Sequence, residues 1–176
     1  MLLAESCSEV DLLGTIRWSE SKVCIGRMHG EELIFYELDP VKGQGQELAR
    51  TVVGKPGEFM VWNLSQDGTQ IAVSASEKLA KSVRIIDLKN HTQRDLPLPV
   101  TAEGICWSFD GRGLYITGQT KVEFMLIWLD LTGKSKVLLN KGRMPWFINP
   151  VASPDGRTLV YSRQINDMNL VLLEHF

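Results

Sequence analysis

Apolar and polar positions alternate along this chain in short runs, and Gly, Asp, Asn and Pro gather between the runs. In AEGICWS (102–108) and GLYITG (113–118) the apolar residues are mixed with Thr, Tyr and Trp, a composition suited to a pleated surface. No stretch sustains apolar residues at i, i+3, i+4 and i+7. The pattern therefore predicts strands nearly throughout, with one short turn near SEKLAKS (76–82). Between the first two runs stands Asp110-Gly111. Glycine takes positive φ at little cost and aspartate can bond its own backbone, so Asp-Gly between two such runs predicts a tight hairpin.

The hairpin phrase recurs as SQDGTQIAVS (65–74), SFDGRGLYIT (108–117) and SPDGRTLVYS (153–162). Its fixed residues are Ser65, Asp67 and Gly68, then Ser108, Asp110 and Gly111, then Ser153, Asp155 and Gly156. The aspartates stand 43 and 45 residues apart. One period upstream, Trp18-Ser19-Glu20-Ser21 resembles Trp107-Ser108-Phe109-Asp110 but lacks Asp-Gly. These nine residues read as turn formers: the serine hydroxyl can bond the turn, and Pro154 presets φ at its entry.

A second marker keeps the same beat. After each turn an apolar run ends in an acid, at Asp39, Asp87, Asp130 and Glu174, with spacings of 48, 43 and 44 residues. A further short run follows the first three acids: QELARTVV (46–53), QRDLPL (93–98) and KVLLN (136–140). The chain thus divides into units of about 44 residues, at 11–54, 55–98, 99–141 and 142–176, within one domain. The expected fold is all-β, with four-stranded antiparallel blades of a β-propeller, four in this chain and the last one strand short. One blade cannot bury both faces, so neighbours must stack, and Trp18, Trp62, Trp107, Trp128 and Trp146 read as filling between them.

Composition narrows the function classes. With 44% hydrophobic and 23% charged residues the 176-residue chain reads as soluble and globular, and a net charge of −2 argues against a nucleic-acid footprint. No window reaches the roughly 18 apolar residues of a membrane span, and MLLAESCSEV lacks the basic start of a secretory signal. As it stands the chain reads as cytoplasmic, or as periplasmic if it is a fragment of a longer membrane-anchored sensor. Cys7, Cys24 and Cys106 show no CxxC spacing and read as buried thiols.

The repeated Ser-x-Asp-Gly turn followed by an apolar strand resembles the TolB-like, WD-repeat-like β-propeller unit of bacteria. FYELDPVKGQGQELART (35–51) and SPDGRTLVYSRQINDMNLVLLEHF (153–176) are more narrowly similar to the C-terminal propellers of acidobacterial winged-helix or Ser/Thr-kinase-associated proteins. The resemblance covers essentially the whole chain. It implies a scaffold or sensory role, and no cofactor is expected. Gln66 and Phe109 stand where the family motif has proline, and neither a winged-helix nor a kinase segment is present.

The last unit stops at its third run, NLVLLE (169–174). An unpaired apolar edge invites further pairing. Three completions are compatible with the sequence: residues 1–10 supply a closing strand, two copies close one ring as a homodimer, or the chain is a piece that a partner completes.

No catalytic constellation emerges. G-x-S-x-G, Walker and GxGxxG motifs are absent, and KGQGQ (42–46) reads as a connector. His29, His91 and His175 form no ligand pair, and Asp39, Asp87 and Asp130 fall in different blades, so no metal site is expected. Lys78, Lys81, Arg84 and Lys89 are diluted by Glu77 and Asp87 and read as a solvated face. The expected function is a non-enzymatic interaction or sensory propeller for a protein, peptide or ligand. Its likeliest contacts are loops 28–32, 119–123 and 140–146. The alternatives are an enzyme of hydrolase or lyase type with its site in the channel mouth, and a self-associating half-propeller.

Overall fold

The computed structural model describes residues 15–18, 23–140, 142, 146–153 and 155–164. Every element within them is a strand. The first sheet runs β1 (Thr15–Trp18), β2 (Val23–His29), β3 (Glu32–Asp39) and β4 (Gly43–Val52) in sequential order. The second runs β5 (Met60–Leu64), β6 (Gln70–Ala75), β7 (Ser82–Asp87) and β8 (Thr92–Pro97). The third runs β9 (Thr101–Trp107), β10 (Gly113–Gln119), β11 (Phe124–Asp130) and β12 (Ser135–Asn140). β13 (Trp146–Ala152) and β14 (Leu159–Gln164) form a hairpin that begins a fourth.

All pairings are antiparallel, so each four-strand unit is a meander. The stretch at 76–81 is a turn closed by hydrogen bonds to Leu79 O, from Ser82 N at 3.1 Å and Ser74 Oγ at 3.1 Å. The closing segment 1–10, the run 169–174 and the Trp18 and Trp146 side chains lie outside the described residues. Among the described residues no helix is long and apolar enough to cross a membrane.

The sheets stack face to face in chain order, and two cores result. Between the first and second sheets lie Leu33, Phe35, Trp62, Ile71, Val73 and Ile86. Between the second and third lie Ala72, Val83, Ile85, Ile105, Trp107 and Ile127. The second sheet is covered on both faces, which is why β6 is buried almost continuously, whereas edge strands such as β8 and β12 alternate little and stay wet. Phe35 meets Trp62 edge-on at 5.1 Å, and Trp107 Nε1 donates to Asn63 O at 3.2 Å, so two of the tryptophans bridge successive sheets.

Polar ties reinforce the stack. Arg84 grips Asp95 through both carboxylate oxygens and also donates to Thr51 Oγ1 at 2.9 Å in the first sheet. Arg94 donates to Leu131 O at 2.8 Å, tying the second sheet to the third.

Candidate functional site

The three Ser-x-Asp-Gly turns share one geometry. Each serine hydroxyl donates to its own aspartate, Ser65 Oγ to Asp67 at 2.6 Å and Ser108 Oγ to Asp110 at 2.7 Å, and Ser153 does the same to Asp155. The same oxygen accepts a backbone N–H across the turn, from Gln70 at 2.9 Å, Gly113 at 3.2 Å and Thr158 at 2.9 Å. The glycines take φ of 70°, 67° and 67°, the left-handed conformation that the turn requires.

Bonds from Ser108 and from the Arg112 backbone hold Asp110 down to about 2. Burial alone would raise Asp67, but bonds from Ser65 and Thr69 outweigh it, and the Ser153 bond lowers Asp155. A serine that donates to a carboxylate with a depressed pKa has its lone pairs and proton engaged by the turn.

The strand-end acids are occupied in the same way. Asp39 Oδ1 accepts from Val41 N at 2.8 Å, Asp87 Oδ1 from Lys89 N at 2.9 Å and Asp130 Oδ1 from Thr132 N at 2.8 Å. Among the described residues no group of three or more His, Cys, Asp or Glu side chains could hold a metal.

The inner strands β5, β9 and β13 pack side by side, and their C-terminal ends wall a cavity of about 390 Å³. It opens at the end of the fold that carries the Ser-x-Asp-Gly turns, opposite loops 28–32 and 119–123, while most of loop 140–146 lies outside the described residues. Amides of Asn63, Gln66 and Asn149 alternate around it with the thiol of Cys106 and the exposed apolar groups of Phe109 and Val151. Among the described residues no carboxylate or imidazole lines it. Asn149 has φ of 56°, at a register shift in β13 that turns the strand into this corner.

One ionisable group on the inner strands stands apart. Glu103 is only 8% exposed and sits where the β9–β10 register shifts. Burial pushes its carboxyl above the ordinary value. Beside it, Gly104 is packed so closely that a Cβ would lie 2.6 Å from Thr117 Oγ1 and 2.8 Å from Asn149 N. The corner is filled by protein, which leaves no room for a ligand next to Gly104.

Solved structures with this arrangement of stacked meanders are numerous. TolB from Acinetobacter baumannii superposes with a TM-score of 0.66 at 16% identity, over 88% of this chain and 38% of that one. The Cps50 (Swd1) β-propeller domain of Myceliophthora thermophila gives 0.58 at 13% identity, over 86% and 48%. A prolyl endopeptidase gives 0.57 at 17% identity, over 85% and 25%. The fold is a TolB-like, WD-repeat-like β-propeller. At these identities the likeness concerns the fold alone, and the chain spans half or less of each of these structures. No protein-family model matches the sequence, and none of the curated proteins does.

The propeller frame explains which features the sequence exposes. The turns are local in the chain and stand out as motifs. The cavity draws on residues from three units: the sequence marks Gln66, Trp107, Ser108, Phe109 and Ser153 one by one, but not that they meet at one opening.

Proposed function

We propose that this propeller is a non-enzymatic interaction module that holds a protein segment or peptide at the end of the stack bearing the Ser-x-Asp-Gly turns. The carrying observation is the chemistry of the 390 Å³ cavity: amides, two serine hydroxyls, one thiol and apolar groups, with no carboxylate, imidazole or cation among the described residues that line it. Such a lining recognises extended chain through amide hydrogen bonds and small apolar side chains, and it supplies no proton shuttle for hydrolysis or elimination. Phe109, 44% exposed at its rim, is the apolar anchor.

A phage-displayed peptide library panned on the intact chain tests this reading. Selected peptides are expected to lose binding to Phe109→Asp and to retain it on Val122→Asp, whose exposed valine lies at the opposite end. Peptides indifferent to Phe109→Asp, or turnover of ester, peptide or uronate substrates by the purified chain, would overturn it. Loops 28–32, 119–123 and 140–146 form the second contact surface in this proposal, and peptides lost on Val122→Asp would move the site there.

A further inference from the structure

The groove between the third sheet and the β13–β14 turn carries an aromatic shelf. Tyr115 and Trp128 are direct partners across β10 and β11, so their side chains leave the sheet on the same face, and their rings meet at 5.0 Å with planes tilted by 58°. Rings this close admit nothing between them and present one faceted apolar surface. The indole lies across Gly113, where a Cβ would come within 2.6 Å of Trp128 Cζ2, so glycine at this position lets the ring fold down on the strand. Trp107 is sealed between two sheets, whereas Tyr115 and Trp128 are only half-buried and line an open groove of about 630 Å³.

The groove continues the candidate site. Ser108, Phe109 and Ala152 line both the 390 Å³ cavity and this one. Phe109 stands at the junction, against the Asp155-Gly156 turn, where a Cβ on Gly156 would lie 3.5 Å from that of Phe109. A chain segment seated in the cavity and led out past Phe109 therefore reaches the shelf.

Polar groups around the shelf set what it takes. Its two acids are engaged by their own turns, Asp110 accepting from Ser108 and Arg112 and Asp155 from Ser153 and the Arg157 backbone, so they are poorly placed to hold the hydroxyls of a sugar. Donors remain. Arg112 bonds Asp110 through Nε while its side chain is 83% exposed, which leaves N–H groups facing water, and Lys136 is exposed on β12. Apolar rings flanked by donors suit a chain that carries flat apolar rings and free carbonyls. A polyproline helix is such a chain, because it has no internal hydrogen bonds and returns a ring to the same side every third residue. It is also ordered before it binds, so an open groove can hold it at small entropic cost.

We propose, building on the peptide reading above, that the segment this propeller binds is proline-rich, with a proline ring on the Tyr115–Trp128 shelf and the chain crossing Phe109 into the amide-lined cavity. Leu138, 44% exposed, forms the apolar outer wall of the shelf, and Arg112 donates to the carbonyls that pass it. Sequence reading placed Trp128 among the residues that fill the space between blades; here it is a contact residue.

Isothermal titration calorimetry of the full chain with acetylated decaproline amide, against a glycine–serine decamer, tests the proposal. Decaproline is expected to bind and the decamer not, and Trp128→Ala is expected to weaken decaproline by about tenfold or more while Val122→Asp leaves it unchanged. No binding of decaproline, equal binding of the two peptides, or full affinity in a folded Trp128→Ala overturns the proposal. So does binding of chitotriose or cellotriose that Trp128→Ala abolishes, since the shelf would then belong to a sugar. Should Trp128→Ala unfold, decaproline with a benzophenone amino acid at one end replaces it: label on residues 108–138 supports the shelf, and label confined elsewhere refutes it. The two readings fail separately. Panned peptides that need Phe109, lack proline and ignore Trp128→Ala uphold the cavity and overturn the shelf, whereas decaproline lost on Trp128→Ala but kept on Phe109→Asp upholds the shelf and overturns the cavity.

Discussion

Two carboxylates in the third sheet respond to pH with opposite sign. Asp110 is held down to about 2 by bonds that exist only in the fold, so its contribution is present above about pH 4 and disappears as pH falls through 2. Its side chain is 42% exposed, and solvent screening keeps the effect of Asp110→Asn at pH 7 below about 1 kcal/mol. Glu103 is raised by burial, so ionisation favours the unfolded chain, and stability falls as pH rises from the ordinary glutamate range towards the folded value. Urea denaturation should therefore find Glu103→Gln more stable than wild type at pH 7 and indistinguishable from it at pH 4. An unchanged midpoint at both values would mean that Glu103 has a partner in solution.

Gly104→Ala is expected to cost about 1–3 kcal/mol by forcing apart Thr117, Pro150 and Asn149, measurable in the same titrations. The Ser-x-Asp-Gly residues were legible in the sequence because a turn bonds within six positions of itself. Glu103 and Gly104 were not, because their surroundings follow from the register shift between β9 and β10 and from the approach of β13.

At the scale of elements, strands were legible and the ties between sheets were not. Apolar runs bounded by turn residues place β9 and β10 within a residue of their observed ends, since strands covered on both faces read as continuous apolar runs. Arg84 read as one charge on a solvated basic face. Instead its guanidinium reaches across to Thr51 while pairing with Asp95, a geometry that depends on how two sheets stack.

Trp107 exposes the same distinction experimentally. Its indole lies between the second and third sheets and donates to Asn63 O. Trp107→Phe removes the hydrogen bond and most of the ring remains, with an expected loss of about 1 kcal/mol. Trp107→Ala empties the site, with an expected loss of about 3–5 kcal/mol. Equal losses in the two variants, read by chemical denaturation, would show that the bond and not the packing holds these sheets together.

For the whole molecule, stability is distributed by neighbours. A sheet flanked on both sides buries both faces and a terminal sheet buries one, so in a stack of meanders local opening begins at the ends. The second sheet, sealed by the Leu33–Trp62–Ile86 core on one face and the Ala72–Ile85–Ile127 core on the other, should hold the slowest-exchanging amides, in β6 and β7. The β13–β14 hairpin, with Val151 and Val160 bare, should exchange fastest among the described strands.

Hydrogen–deuterium exchange on the full chain checks this gradient. Amides of β6 and β7, sealed between two cores, should exchange slowest, and those of β14, whose Val160 is 61% exposed, fastest among the described strands. Equal protection in β6 and β14 would mean that stability does not follow the number of sheets packed against each strand.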